Sequence, residues 1–135
     1  KTVAVLGLTF KPNTDDMRDA PSLAIVPALQ AMGARVRAFD PEGMEQAKKM
    51  MEIETCADAY ETMKDADGLA LLTEWNEFRF LNLEKLKDVM RGTVLFDGRN
   101  VYDPQRMRRL GFDYHCIGRN GNAKDIKRPT RQIAA

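Results

Sequence analysis

The sequence is poor in metal-binding and redox side chains. It holds one histidine and two cysteines among 135 residues. Cys56 and Cys116 lie far apart and His115 stands alone, so no spacing suited to zinc or an iron–sulfur cluster exists. Both thiols read as buried, reduced cysteines of a cytosolic protein rather than as redox or catalytic groups. His115 lies in a strand-like run and reads as a partly buried strand residue before it reads as a general base. An excess of either charge is also missing: 21 Lys and Arg face 20 Asp and Glu, a net charge of +1. No bulk field therefore argues for nucleic acid or for an anionic membrane surface. No apolar run approaches the roughly 20 residues of a membrane span. The chain starts at Lys1 directly in an apolar run, which reads as a piece of a longer polypeptide with a cytoplasmic setting.

What is present is an ordinary globular composition, 44% hydrophobic and 30% charged, long enough for one core. Val3-Ala4-Val5-Leu6 and Gly68-Leu69-Ala70-Leu71-Leu72 are continuous apolar runs, the mark of strands buried on both faces. Ala34 to Phe39, Glu54 to Cys56, Val94 to Phe96 and Tyr114 to Ile117 supply further strands. Between them, Leu23, Val26, Leu29 and Met32 recur at helical spacing with Gly33 as a stop, although Pro27 interrupts that helix. Asp40-Pro41, Asp58 with Glu61, Asn82, and Asp103-Pro104 read as helix starts. Strand and helix alternate throughout. The expected fold is therefore α/β, a doubly wound, mostly parallel, Rossmann-like sheet with helices on both faces, over residues 1–118. Residues 119–135 are expected to form a flexible C-terminal tail.

A Rossmann-like order suggests a dinucleotide, but that ligand needs a glycine-rich turn after the first strand. Here Gly7 is followed by Leu8-Thr9-Phe10-Lys11, and the later glycines are absent. Asp40 stands where a ribose-binding acid might, although a helix cap accounts for it as well. The first strand instead leads into a long charged loop running to Ser22, in which Lys11 and Arg18 alternate with Asp15, Asp16 and Asp19. It is too long to be only a connector.

Lys11 at this strand end and Arg99 in Asp97-Gly98-Arg99 can converge on one phosphate, or each can pair locally with Asp15, Asp16 or Asp97. Phe10 offers an apolar face to a sugar or base. Arg18 reads either as part of a solvated, internally paired loop or as a side chain projected toward a neighbour. Trp75, with Phe78, packs its loop or, less simply, stacks on a ligand.

The run from Gly7 to Ser22, Thr73-Glu74-Trp75 with Phe78, and Asp97-Gly98-Arg99-Asn100 together resemble the C-terminal, UDP-binding domain of the UDP-glucose/GDP-mannose dehydrogenase family. The likeness covers Lys1 to Gly118 and is nearest to the bacterial members that act on UDP-glucose. It implies one domain of an NAD-dependent enzyme that oxidises the C6 alcohol of a UDP-sugar to a carboxylate. NAD-binding and central domains of the parent enzyme, as well as a homo-oligomer, are implied as partners. By the same resemblance Phe10, Lys11 and Arg99 are substrate-binding residues, and Arg18 is the cofactor-binding one, reaching toward NAD. No catalytic residue carries over, because neither Cys56 nor Cys116 has the family's nucleophile context, and the isolated chain is expected to be inactive. GDP-mannose or a UDP-N-acetyl sugar is the alternative substrate. A stand-alone nucleotide-binding module and a purely structural α/β domain are the rival functions.

Overall fold

The computed structural model describes residues 1–117. The expected tail, 119–135, lies outside the described residues. Six strands form one sheet: β1 (Thr2–Leu6), β2 (Arg35–Phe39), β3 (Glu54–Thr55), β4 (Gly68–Leu71), β5 (Val94–Asp97) and β6 (Asp113–Cys116). Their order is β3-β2-β1-β4-β5-β6, and every pairing is parallel. The chain winds one way from β1 to β3, then returns to the other side of β1 for β4. The switch between β1 and β4 opens a crevice at the strands' carboxyl ends, where doubly wound sheets take their ligands.

Alternation along the strands divides the core between the two faces. Ala4, Leu6, Leu69, Leu71 and Leu95 point to one face, beneath α3 (Ala59–Met63), α5 (Leu83–Val89) and α6 (Pro104–Arg109). Val5, Val36, Ala38, Ala70 and Leu72 point to the other, beneath α1 (Ser22–Ala31) and α2 (Met44–Met50). Among the described residues no helix is long and apolar enough to cross a membrane.

Three of the expected caps form. Asp58 accepts from the Glu61 N–H, Asn82 from Lys85 and Asp103 from Arg106, each taking up a helix-terminal donor. Pro27 lies inside α1 on its exposed side, where a missing N–H costs least. One expected start is corrected. Asp40-Pro41 does not open α2, which begins at Met44 behind Gly43. One Asp40 oxygen still takes up the Glu42 and Gly43 N–H groups of the turn before α2, and the other turns inward to Leu8 and Thr9. A short helix, α4 (Asn76–Arg79), also occupies what the sequence presents as a loop.

Candidate functional site: the carboxyl edge of the sheet

All three loops singled out in the sequence leave the same edge of the sheet. The β1 loop carries Phe10, Lys11 and Arg18, the β4 loop carries Glu74 and Trp75, and the β5 loop carries Arg99. Because β4 alone separates β1 from β5, those two strand ends stand about 10 Å apart, two strand spacings. Lysine and arginine side chains can span that gap.

The crevice beneath them is filled by the protein itself. Gly7 has φ +94°, and a side-chain carbon there would lie 2.5 Å from the Thr73 backbone nitrogen, so only glycine lets the two loops meet. Thr73 then donates its hydroxyl to the Thr9 carbonyl at 2.6 Å. At the start of α1, where a dinucleotide's pyrophosphate would sit, the Ser22 hydroxyl donates to the Leu8 carbonyl at 2.6 Å. The glycine turn is thus replaced by a plug. Met17 and Ala20 bury themselves in the core and tie down the far end of the same loop, leaving Phe10 and Lys11 exposed at its crest.

Two buried carboxylates hold the loops in place. Asp40 is fully buried at the end of β2. Its Oδ2 accepts from the backbone N–H of Leu8 (2.7 Å) and Thr9 (3.1 Å) and from the Trp75 indole N–H (3.2 Å). Its Oδ1 accepts from Glu42 (2.9 Å) and Gly43 (2.7 Å). The Thr9 hydroxyl lies between Asp40 Oδ2 and the Lys11 carbonyl. Both oxygens are therefore engaged, and neither is offered to a ribose. Trp75 is buried and packs its loop, as the simpler reading of it expected. Asp97, also fully buried, gathers the β5 loop: Oδ1 accepts from the Arg99 N–H, and Oδ2 from the Tyr102 N–H and the Tyr114 hydroxyl. The sequence presented Asp40 as a cap or a ribose-binding acid and Asp97 as a candidate local partner of a cation; burial is what turns each into a loop anchor.

The two arginines both have partners. Arg18 grips Asp16, with Nε 3.0 Å from Oδ1 and Nη2 2.8 Å from Oδ2, while its side chain stays 88% exposed. This is the local pairing foreseen as one of its two readings. The Arg18 hydrogen bonds hold the Asp16 carboxyl down at about 2. Lys11 adds its charge to that effect, which puts it within electrostatic reach of the same acid. Arg99 pairs with neither Asp97 nor a residue of its own loop. It reaches across to Glu74, Nε 3.1 Å from Oε1 and Nη2 2.9 Å from Oε2. Burial works against the Glu74 carboxylate, but the Arg99 hydrogen bonds and charge outweigh it and lower its pKa.

The remaining candidates lie elsewhere. Cys56 follows β3 and Cys116 ends β6, the two outermost strands, about 24 Å apart across the sheet. Neither is in a disulfide, both are half-buried rather than buried as expected, and burial pushes the Cys56 thiol up, away from the thiolate. His115 is a strand residue as expected but exposed rather than partly buried, because β6 is an edge strand, and it pairs with Asp113 at 3.0 Å.

The fold and these loops have known counterparts. The family described as UDP-glucose/GDP-mannose dehydrogenase, UDP binding domain, matches residues 4–104. The chain belongs to that family. A UDP-glucose 6-dehydrogenase of Rhizobium meliloti is 55% identical over 118 residues, covering 87% of this chain and 27% of the relative. The UDP-glucose 6-dehydrogenase TuaD of Bacillus subtilis is 42% identical over 121 residues, covering 88% and 26%. Among solved structures, an NDP-N-acetyl-D-galactosaminuronic acid dehydrogenase from Methanosarcina mazei superposes with a TM-score of 0.78 at 30% identity, over 89% of this chain and 25% of that one. The chain thus spans about a quarter of the length of the relatives it matches. In this family member the sheet is Rossmann-like, and the Gly7–Thr73 and Ser22–Leu8 contacts occupy the crevice at its switch point.

Proposed function

We propose that this chain is the nucleotide-sugar-binding domain of a UDP-glucose 6-dehydrogenase, with Lys11 and Arg99 holding the anionic diphosphate of the UDP-sugar. The observation that carries the reading is the emergence of both cations at the carboxyl edge, from loops on strands two spacings apart around the switch point. Arg99 supplies directed N–H donors and Lys11 a mobile point charge, a pairing suited to adjacent phosphates. Phe10, 45% exposed beside Lys11, offers its ring to the ligand's apolar surface.

In this reading NAD would accept the hydride from the sugar C6 alcohol, held by a domain outside this chain. Within the chain, the Ser22 hydroxyl and the Leu8 carbonyl occupy the place where a dinucleotide's pyrophosphate would sit, and Arg18 stays exposed with its Asp16 pair formed. Arg18 would reach the cofactor from across a cleft. The chain's own part is to bind and orient the nucleotide end. No nucleophile is assigned here, since a catalytic thiol needs a lowered pKa and that of Cys56 is raised. A homo-oligomeric parent enzyme in the cytoplasm completes the proposal.

Titration calorimetry of UDP against the chain tests it. Lys11→Met and Arg99→Ala should each weaken binding by about 1.5–3 kcal/mol, the scale of a hydrogen bond to a charged group. Affinity should fall as salt rises, and Arg18→Ala should leave it unchanged. Equal affinity in all four proteins overturns the site, and loss only with Arg18→Ala reverses the roles. GDP binding more tightly than UDP would favour a GDP-sugar as substrate. Mixed with NAD+ and UDP-glucose, the chain alone should produce no NADH.

A further inference from the structure

Glu74 is an acid at an edge proposed to receive an anion, and its charge alone would repel that ligand. Resting on the nucleotide reading above, we propose that Glu74 is a positioning residue that holds the Arg99 guanidinium in the orientation that receives the nucleotide's phosphate.

Three observations carry this. The first is the backbone on which Glu74 stands. Thr73 before it is locked to the Thr9 carbonyl, and Trp75 after it is locked to buried Asp40. The carboxylate therefore rises from a segment pinned on both sides. The second is the base of Arg99, whose backbone N–H is held by Asp97, itself fully buried. The pair bridges two anchored loops, and neither loop can drift to meet a wandering partner.

The third observation is which face of the guanidinium is used. An arginine carries five N–H donors in a planar fork. Glu74 takes the side face, Nε with one Nη2 hydrogen. The end face, formed by Nη1 with the other Nη2 hydrogen, is a second bidentate surface that Glu74 does not occupy. The Arg99 side chain remains 38% exposed with the pair formed. Phosphate and carboxylate can thus bind the same guanidinium from different sides, so Glu74 orients Arg99 without competing for it.

The inference predicts a sign opposite to that of simple charge removal. If Glu74 only repelled the nucleotide or competed for Arg99, Glu74→Ala would tighten UDP binding. If it positions Arg99, Glu74→Ala should weaken UDP binding by about two- to tenfold, the cost of ordering one rotamer-rich side chain on binding. The effect must also act through Arg99. In an Arg99→Ala background the further change Glu74→Ala should therefore leave affinity unchanged or slightly improved. Calorimetry on the unsubstituted chain, the two single variants and the double variant, with UDP as probe, measures all of this. Urea unfolding of each protein confirms that it is folded. Tighter or equal binding by Glu74→Ala overturns the inference while leaving the nucleotide reading intact, provided Arg99→Ala weakens binding. An equal loss from Glu74→Ala with and without Arg99 also overturns it, because the loss is then structural. If the unsubstituted chain binds no UDP, or Arg99→Ala binds it as well, the nucleotide reading fails and the inference goes with it.

Discussion

Replacing Asp40 with asparagine tests the organisation of the edge most directly. The carboxylate accepts from five N–H groups, three on Oδ2 and two on Oδ1, with no water-exposed surface. An asparagine has the same shape but only one acceptor oxygen. Its better orientation sets that oxygen toward Leu8, Thr9 and Trp75 and turns its NH2 toward the Glu42 and Gly43 N–H groups. Two charge-assisted bonds are then lost, at about 1.5–3 kcal/mol each, for a total of about 3–6 kcal/mol. Against a whole-domain stability of about 5–15 kcal/mol, that is a large fraction. With a urea slope of about 1.5 kcal/mol/M, the unfolding midpoint should fall by about 2–4 M. A shift below about 0.5 M would refute the anchoring role. If such a variant had also lost UDP binding, Asp40 would instead be a ligand group.

Three further outcomes follow from the same loops and strands. Gly7→Ala should destabilise by about 2–5 kcal/mol, since strain at positive φ adds to a backbone clash, whereas Gly33→Ala, at φ +95° with nothing within 4 Å, should cost only about 1–2 kcal/mol; urea unfolding of the two variants measures the difference. The Asp16 carboxyl, lowered from 3.8 to about 2, is a depressed acid, so its pairing with Arg18 is intact above the ordinary value and is lost as pH falls through about 2. An NMR titration of its carboxyl carbon should show that midpoint and return toward 3.8 in Arg18→Ala; a midpoint near 3.8 in the unsubstituted chain would contradict the pairing. Tyr114→Phe removes the hydroxyl that donates to Asp97 at 2.7 Å and should cost about 1.5–3 kcal/mol in thermal or urea unfolding, with no change expected if the β5 loop is held by its backbone bonds alone.

Much of the architecture was legible because it rests on local pattern. Continuous apolar runs such as Leu69-Ala70-Leu71 announce strands covered on both sides, and the caps at Asp58, Asn82 and Asp103 announce helix starts by chemistry that acts over three or four residues. The shared edge of Lys11 and Arg99 followed from strand ends and topology. The partners of these side chains were harder to read. Asp40-Pro41 has the local form of a helix start, yet a tertiary demand, the unpaired N–H groups of Leu8 and Thr9, drew its carboxylate inward. Glu74 lies 25 residues from Arg99, and nothing in either neighbourhood marks them as a pair. Asp16 and Arg18 stand two apart, so internal pairing of that loop was one of two readings open in the sequence, and the structure shows Asp16 as the partner. Short-range chemistry could be read from the chain, but which carboxylate meets which cation across the sheet could not.

The plugged crevice also bears on how long a ligand stays. Gly7 lies against Thr73 and Ser22 against the Leu8 carbonyl, so the protein's own atoms take up space between β1 and β4. In the proposed reading an anion at this edge would rest on a ledge, met by Lys11 and Arg99 and open to solvent above. Departure from a ledge requires no loop to open, so free nucleotide should come and go quickly on this chain alone. A slow off-rate would have to be supplied by whatever surface closes down on the ledge from the other side.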